Sequence, residues 1–168
     1  MPTMLALDPG NRETGWCIVD TVTRAPVQGG KDENTLVSGI VSVGAFTVAA
    51  IEIIESYGMA VGRDVFETCE WIGRYKQLLD ARGVPYHIIT RKEEKLTICG
   101  SPRANDTTIR HALIDRFASH DFRSGKGTKA NPDFFYGFRA DLWSAYAVAT
   151  TALDRAEYEK ESVTNGIS

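Results

Sequence analysis

The sequence predicts an α/β domain in which a mixed, five-stranded sheet carries helices on both faces. Short apolar and β-branched segments come first, in the order of a meander. Similar segments then alternate with amphipathic helical ones, which favours a mixed sheet covered on both sides. An Ala-rich segment near the C-terminus can form a helix that lies close to a sheet. The 168 residues are enough for one domain with a buried core.

Five segments have the composition of strands. Residues 3–8 and 47–54 are apolar enough to be strands buried on both faces. Residues 15–20 read as the hairpin partner of the first strand, and residues 25–29 as the third strand of the meander. Residues 86–90 form the last strand, after the longest of the predicted helices.

Apolar residues at helical spacing predict five helices. Asn34 is a good N-cap for the first of them, and Arg82-Gly83 is typical of a helix C-terminus. Residues 120–138 contain three glycines and a proline, so we expect a mobile loop there. Residues 1–159 then form a single domain, and residues 160–168 a polar tail that frays. The predicted helices cover residues 34–43, 63–82, 91–98, 106–119 and 140–159.

Composition indicates a cytoplasmic protein. No apolar run is long enough to cross a membrane, and no secretory signal is recognisable. The widely spaced Cys17, Cys69 and Cys99 fit neither a disulfide framework nor a zinc site, and we interpret them as reduced core thiols. The three histidines also lack metal-ligand spacing. The net charge is −3, but positive charge gathers after residue 90.

Three carboxylates occupy apolar surroundings. Asp8 ends a buried strand and precedes a Gly-rich turn, and Glu52 lies within an apolar strand. Asp141 stands at the head of the Ala-rich helix, which can bring it to the sheet surface. A carboxylate in such a setting is poorly solvated and needs a proton, a partner or a cation.

These carboxylates predict a site for divalent cations. Three of them close together repel one another unless a counter-charge is present, and Mg²⁺ or Mn²⁺ prefers oxygen ligands. Two such ions are a common device for in-line attack of water on a phosphodiester. Taken singly, Asp8 also fits a turn residue, Glu52 a sheet-edge residue and Asp141 a helix cap. Their joint occurrence favours the metal site.

An ordered set of motifs resembles the RuvC family of Holliday junction resolvases, and most of all its small phage-encoded members. The resemblance extends from residue 5 to about residue 150, which is most of the chain. It is carried by Leu7-Asp8-Pro9-Gly10-Asn11, Thr14-Gly15, Ala50-Ile51-Glu52, and Asp141 leading into Ala145-Tyr146-Ala147-Val148-Ala149. Further similar stretches are Ser56–Gly62, Glu67–Arg74, Ile98–Ser101, Gly125–Lys129 and Phe135–Gly137.

The resemblance implies a ribonuclease H-like fold and a homodimer. It also implies Mg²⁺- or Mn²⁺-dependent nicking of two opposed strands of a four-way DNA junction. Asp8, Glu52 and Asp141 match the family's first three metal-binding acids and are the expected catalytic residues. The chain departs from the bacterial members at Ser144, where they carry a fourth acid. Three carboxylates are expected to suffice, with Ser144 and Asp133 as weaker candidate ligands.

DNA contacts are expected from cations close to the acidic residues. Lys126 and Lys129 are the first candidates, because their Gly-rich loop leads directly to Asp141. Tyr57 is a weaker candidate for stacking on an unpaired base at the branch point. The other candidate phosphate contacts are Arg91, Lys92, Lys95 and Arg103.

Two further hypotheses concern assembly and activity. Helix 63–82 carries apolar residues on more than one side, including Phe66, Trp71 and Tyr75, and a spare stripe there predicts a dimer seam. With Ser144 in place of an acid, a junction-binding protein with weak or no nuclease activity is the main alternative. A phosphotransferase of the actin and sugar-kinase type is disfavoured, because the chain is too short for two lobes.

Overall fold

The strands form one mixed sheet in the order β3-β2-β1-β4-β5. In the computed structural model, which describes residues 1–166, β1, β2 and β3 are successive antiparallel neighbours. Strands β4 and β5 run parallel to β1. This arrangement confirms the predicted mixed five-stranded sheet. The strands are β1 (Thr3–Pro9), β2 (Glu13–Asp20), β3 (Pro26–Glu33), β4 (Val48–Ile53) and β5 (Tyr86–Thr90).

Five helices connect and cover the strands. The last helix continues to Thr164, so residues 160–164, expected in a fraying tail, are helical. Residues 167 and 168 of that expected tail lie outside the described part of the chain. None of the helices in residues 1–166 is long and apolar enough to span a bilayer. The helices are α1 (Asn34–Val43), α2 (Arg63–Arg82), α3 (Arg91–Cys99), α4 (Asp106–Phe117) and α5 (Ala140–Thr164).

The alternation of side chains along the strands builds a separate core on each face of the sheet. Leu5 and Leu7 of β1 pack with residues of α1 and α2 on one face. Met4 and Ala6 pack with residues of α4 and α5 on the other. Helices therefore cover both faces, as the sequence predicts.

Helix α5 packs directly on the sheet because small residues meet there. Ala145, Ala149 and Ala152 are completely buried. On the sheet side, a Cβ added to Gly29 would lie 2.5 Å from Leu142 Cδ2 of α5 and 2.7 Å from the Trp16 carbonyl oxygen of β2, so glycine leaves room for both neighbours. The backbone of α5 is consequently held close to β1, β2 and β3.

Two polar residues of the buried layer have roles that the sequence does not reveal. Asn34 does not cap α1, since the cap position is Glu33. Its Nδ2 instead donates to the Gly10 carbonyl (3.0 Å), and its Oδ1 accepts from Thr14 Oγ1 (2.6 Å) and the Tyr75 hydroxyl (3.2 Å). Tyr75 is completely buried in this network, which corrects its assignment to a dimer seam.

The cysteines differ in their environment. Cys17 is buried and Cys99 half-buried, whereas Cys69 is exposed on α2. The buried stripe of α2 runs through Thr68 and Ile72, so Cys69 is rotated out of the core. The interpretation of Cys69 as a core thiol is wrong.

Candidate functional site

Asp8 and Glu52 lie side by side at the ends of two parallel strands. The pairing of β1 with β4 runs to Leu7 and Ile51, and the two acids are the next residues on each strand. Alternation directs them to the same face as Ala6 and Ala50, which is the face that α5 covers. The two carboxyl groups are close enough to share a hydrogen bond.

The electrostatics of this pair favour one shared proton. Burial raises the pKa of Asp8, and a hydrogen bond with Glu52 partly offsets that effect. Burial also raises the pKa of Glu52, and the neighbouring charges of Glu94 and Asp8 raise it further. Glu52 is therefore the protonated partner and donates to Asp8. Two half-buried carboxyl groups that must keep a proton are a place where a cation can substitute for it.

Asp141 enters the same cleft from the first turn of α5. The cleft holds about 430 Å³ and is lined by Asp8, Asp141 and Ser144 together with residues of the β1–β2 turn. A Cβ added to Gly15 would lie 3.2 Å from the carbonyl oxygen of Asp141 and 3.7 Å from Asp8 Cβ. The absence of a side chain at Gly15 thus lets the first turn of α5 approach β1.

The carboxylate of Asp141 does not join those of Asp8 and Glu52 in one cluster. Its Oδ1 lies 3.3 Å from Lys31 Nζ, and its side chain is 51% exposed. Within residues 1–166, no three acidic, histidine or cysteine side chains form a ready metal-binding group. The expected trio is therefore assembled in part: Asp8 and Glu52 touch, and Asp141 lines their cleft but pairs with a lysine.

Ser144 and Asp133 have different positions. Ser144 lies one turn after Asp141 in the cleft, and its hydrogen bond helps to lower the pKa of Asp8 against the effect of burial. Asp133 lies in the loop between α4 and α5, where its side chain is 1% exposed. Its carboxylate accepts hydrogen bonds from the backbone N–H groups of Ser119, His120, Asp121 and Phe134 and from the Ser119 hydroxyl.

These contacts correct the assignment of Asp133 as a candidate ligand, because both of its oxygens are occupied in holding the loop. The loop itself is more ordered than the expected mobile segment. Asp121 adds a second carboxylate clamp, which accepts from the backbone N–H groups of Arg123, Ser124 and Gly127.

The structure adds two charged residues that sequence reasoning missed. Lys31 lies near the end of β3, beyond the predicted limit of that strand, and lines the cleft. Glu94 lies on α3 and is completely buried. Glu94 shares a helical face with Ile98, one turn later, which packs against the core under α5; the sequence alone does not reveal this packing.

The side chains predicted to contact DNA differ in their exposure and in whether they are already paired within the chain. Arg91 is engaged, since its guanidinium pairs with Glu94 at 2.7 Å and with Asp106. Tyr57 is 67% exposed and donates to Glu55 Oε2 at 2.5 Å. Of the remaining candidates, Lys92, Arg103 and Lys129 are exposed, and Lys95 and Lys126 are half-buried.

Sheet order, helices on both faces and acids at the ends of β1 and β4 define a ribonuclease H-like fold, as the sequence predicts. Solved structures of similar fold include Thermus thermophilus RuvC bound to a Holliday junction substrate. The TM-score is 0.70 at 14% identity, over 95% of this chain and 97% of that one. A second T. thermophilus RuvC structure gives a TM-score of 0.68 at 13% identity, over 94% and 96% of the two chains. No family model and no curated protein matches the chain.

Proposed function

We propose that the protein is a structure-selective endonuclease that cuts four-way (Holliday) or related branched DNA junctions by metal-dependent phosphodiester hydrolysis. The observation that carries the proposal is the placement of Asp8 and Glu52 at the adjacent ends of β1 and β4, with Asp8 and Asp141 lining one cleft. The fold likeness to a RuvC bound to a Holliday junction supports the choice of substrate. The proposed setting is the cytoplasm of a bacterial or phage-infected cell.

The residues of the cleft fit a hard divalent cation. Oxygen atoms, which Mg²⁺ and Mn²⁺ prefer, are offered there by Asp8 and Glu52 from the sheet and by Asp141 and Ser144 from α5. When bound, such ions would activate the attacking water and stabilise the leaving 3′ oxygen. Asp8 and Glu52 would hold them from the sheet after losing their shared proton. Asp141 would join from α5 after leaving Lys31.

Two basic side chains are positioned to contact the DNA substrate. Lys31 and Arg12 both line the cleft. Once Asp141 turns toward the other acids, the ammonium group of Lys31 becomes available to a phosphate oxygen. Lysine and arginine on phosphates position the nucleic acid without reading its sequence, as expected for an enzyme that selects a branched shape.

A homodimer is part of the proposal, since two symmetric nicks need two symmetrically placed sites. An exposed apolar strip precedes and begins α2, formed by Met59 (77% exposed), Val61 (41%) and Phe66 (60%). An exposed strip of this kind is typical of an interaction surface. It supports the expected dimer seam on α2, with Phe66 rather than Tyr75 as its aromatic residue.

The test is a cleavage assay on synthetic four-way junctions in Mg²⁺ and in Mn²⁺, with linear duplex as the control substrate. We expect paired nicks in opposed strands of the junction. Asp8→Asn and Glu52→Gln should each lower the cleavage rate by more than about a hundredfold, because they remove direct ligands. Asp115→Asn and Glu159→Gln, which change exposed acids on α4 and α5, should leave it unaltered. Clean cleavage by Asp8→Asn would contradict the proposal.

A second candidate function is junction binding with little or no nuclease activity. The pairing of Asp141 with Lys31 and the hydroxyl at Ser144 favour it, since both reduce the negative charge available to a cation. Tight junction binding without nicking in either ion would support this alternative. Ser144→Asp should then create cleavage activity.

A further inference from the structure

Glu94 is completely buried, whereas the other residues of α3 are half-buried or exposed. Its Oε2 accepts a hydrogen bond from the Arg91 guanidinium at 2.7 Å. Its Oε1 is buried and has no hydrogen-bond partner among residues 1–166. A buried carboxylate oxygen without a partner is costly, so its presence calls for a ligand that the protein alone does not supply.

The position of Glu94 follows from the end of the sheet. Helix α3 begins at Arg91, directly after β5, and β5 is the parallel neighbour of β4 with Ile89 opposite Glu52. The first turn of α3 therefore lies next to the strand ends that carry the acids. Ile98 packs under α5, which turns the face it shares with Glu94 toward the same side of the sheet. The charge of Glu94 raises the pKa of Glu52, and that of Asp8 raises the pKa of Glu94, which is consistent with this placement.

We propose that Glu94 is a fourth carboxylate of the divalent-cation site, which supplies through its unpaired Oε1 the acidic group that Ser144 does not. The inference rests on the proposed function and identifies one more residue of the same site. Because Glu94 forms no ready three-acid group with its neighbours in residues 1–166, it would act on the cation through an intervening oxygen ligand such as water.

A purely structural role as the counter-ion of Arg91 explains the arrangement less well. Arg91 already pairs with Asp106, which lies at the start of α4 and is largely exposed. The charge of Arg91 therefore does not require a second, fully buried carboxylate, whose desolvation is costly. Arg91 instead fixes one oxygen of Glu94 and leaves the other free.

Mn²⁺ binding to the intact protein, measured by calorimetry and by the loss of the free-ion electron paramagnetic resonance signal, tests the proposal without an activity assay. Glu94→Gln keeps the shape of the side chain and removes its charge. We expect this variant to bind Mn²⁺ about tenfold or more weakly than the parent protein. Glu93→Gln is the neighbouring control, since Glu93 caps α3 and pairs with Arg155; it should keep the parent affinity. Glu94→Gln/Ser144→Asp should recover most of the lost affinity.

The outcomes separate this inference from the proposed function. If the parent protein binds Mn²⁺ and Asp8→Asn abolishes binding, the metal site stands. Parent-like affinity of Glu94→Gln would then overturn the role of Glu94 alone. If the parent protein does not bind Mn²⁺, or Asp8→Asn binds it normally, the metal-dependent mechanism falls and this inference with it. Thermal unfolding without metal checks folding, and a structural role would show as a lowered Tm with unchanged Mn²⁺ affinity.

Discussion

The ammonium group of Lys31 lies 3.3 Å from Oδ1 of Asp141, across 110 residues of sequence. Lys31 is opposite Gly15 in the β2–β3 ladder, and the Gly15 backbone in turn approaches the first turn of α5. The pair therefore closes one side of the cleft that contains Asp8. Both side chains are substantially exposed, so the ion pair is weak enough for a cation to displace.

Replacement of Lys31 tests this displacement. Lys31→Met should raise the affinity for Mn²⁺ by about two- to fivefold, because the competing positive charge at Asp141 is removed. Calorimetric titration of the parent and the variant measures the change. Lys129→Met, which removes an exposed lysine from the loop before α5, is the control. Equal or weaker Mn²⁺ binding by Lys31→Met would show that the lysine does not compete.

The metal-free protein should lose stability as pH rises, because of Glu52. Burial raises the folded-state pKa of Glu52 above its ordinary value of 4.5. Above pH 4.5 the unfolded chain releases a proton that the folded protein keeps, so the free energy of unfolding falls with increasing pH. Asp8, whose pKa burial also raises, adds to the same slope.

Urea unfolding in a chelator at pH 5 and pH 8 measures that slope. Glu52→Gln should remove a loss of about 1–2 kcal/mol over this interval and be the more stable protein at pH 8. Glu159→Gln, on the exposed surface of α5, should retain the parent slope. A parent protein whose stability rises between the two pH values would refute the shared proton.

Asp133 should prove important for stability and unimportant for metal binding. Its buried carboxylate accepts five hydrogen bonds within the loop, and the backbone donors lower its pKa despite burial. Asp133→Asn should lower the free energy of unfolding by about 2 kcal/mol, because an amide cannot accept from all of these donors. Mn²⁺ affinity of the folded variant should match the parent value, and a marked loss would restore Asp133 as a ligand.

Phe66 tests the proposed dimer. It is 60% exposed near the start of α2, beside the exposed Met59 and Val61. Phe66→Glu should convert the dimer to a monomer, because a charge at an apolar seam is left desolvated and unpaired. Sedimentation velocity reports the change, with Phe122→Glu in the loop between α4 and α5 as a control for lost surface hydrophobicity. A parent protein that sediments as a monomer would remove the basis for symmetric paired nicks.

The sequence predicts the frame of this fold better than its polar interior. Apolar patterning is sufficient to predict β1 and β4, since strands buried on both faces are uniformly apolar, and the β-branched residues of β5 predict the last strand. Helix α2 is equally clear from its periodicity and its terminal glycine. The acids Asp8 and Glu52 are predictable because each is an exception within such an apolar strand.

Residues whose burial depends on tertiary contacts are not predictable in this way. Asn34 has the composition of a cap but is drawn into the core by Thr14 and Tyr75. Glu94 reads as a solvated helix residue until the packing of α3 on α5 buries it. Predicting the pairing of Lys31 with Asp141 requires knowledge of how far β3 extends. All three features depend on contacts between segments that are distant in sequence. Local propensity does not report such contacts.

The contact between the Gly15 backbone and the first turn of α5 makes the width of the cleft independent of most side chains around it. Where two backbones are in contact, the distance between them is set by main-chain atoms, which every residue has. Substitutions in the surrounding layers then accumulate without shifting the strand ends relative to the helix. A cleft whose width depends on contact between two backbones keeps its shape when the side chains around it change.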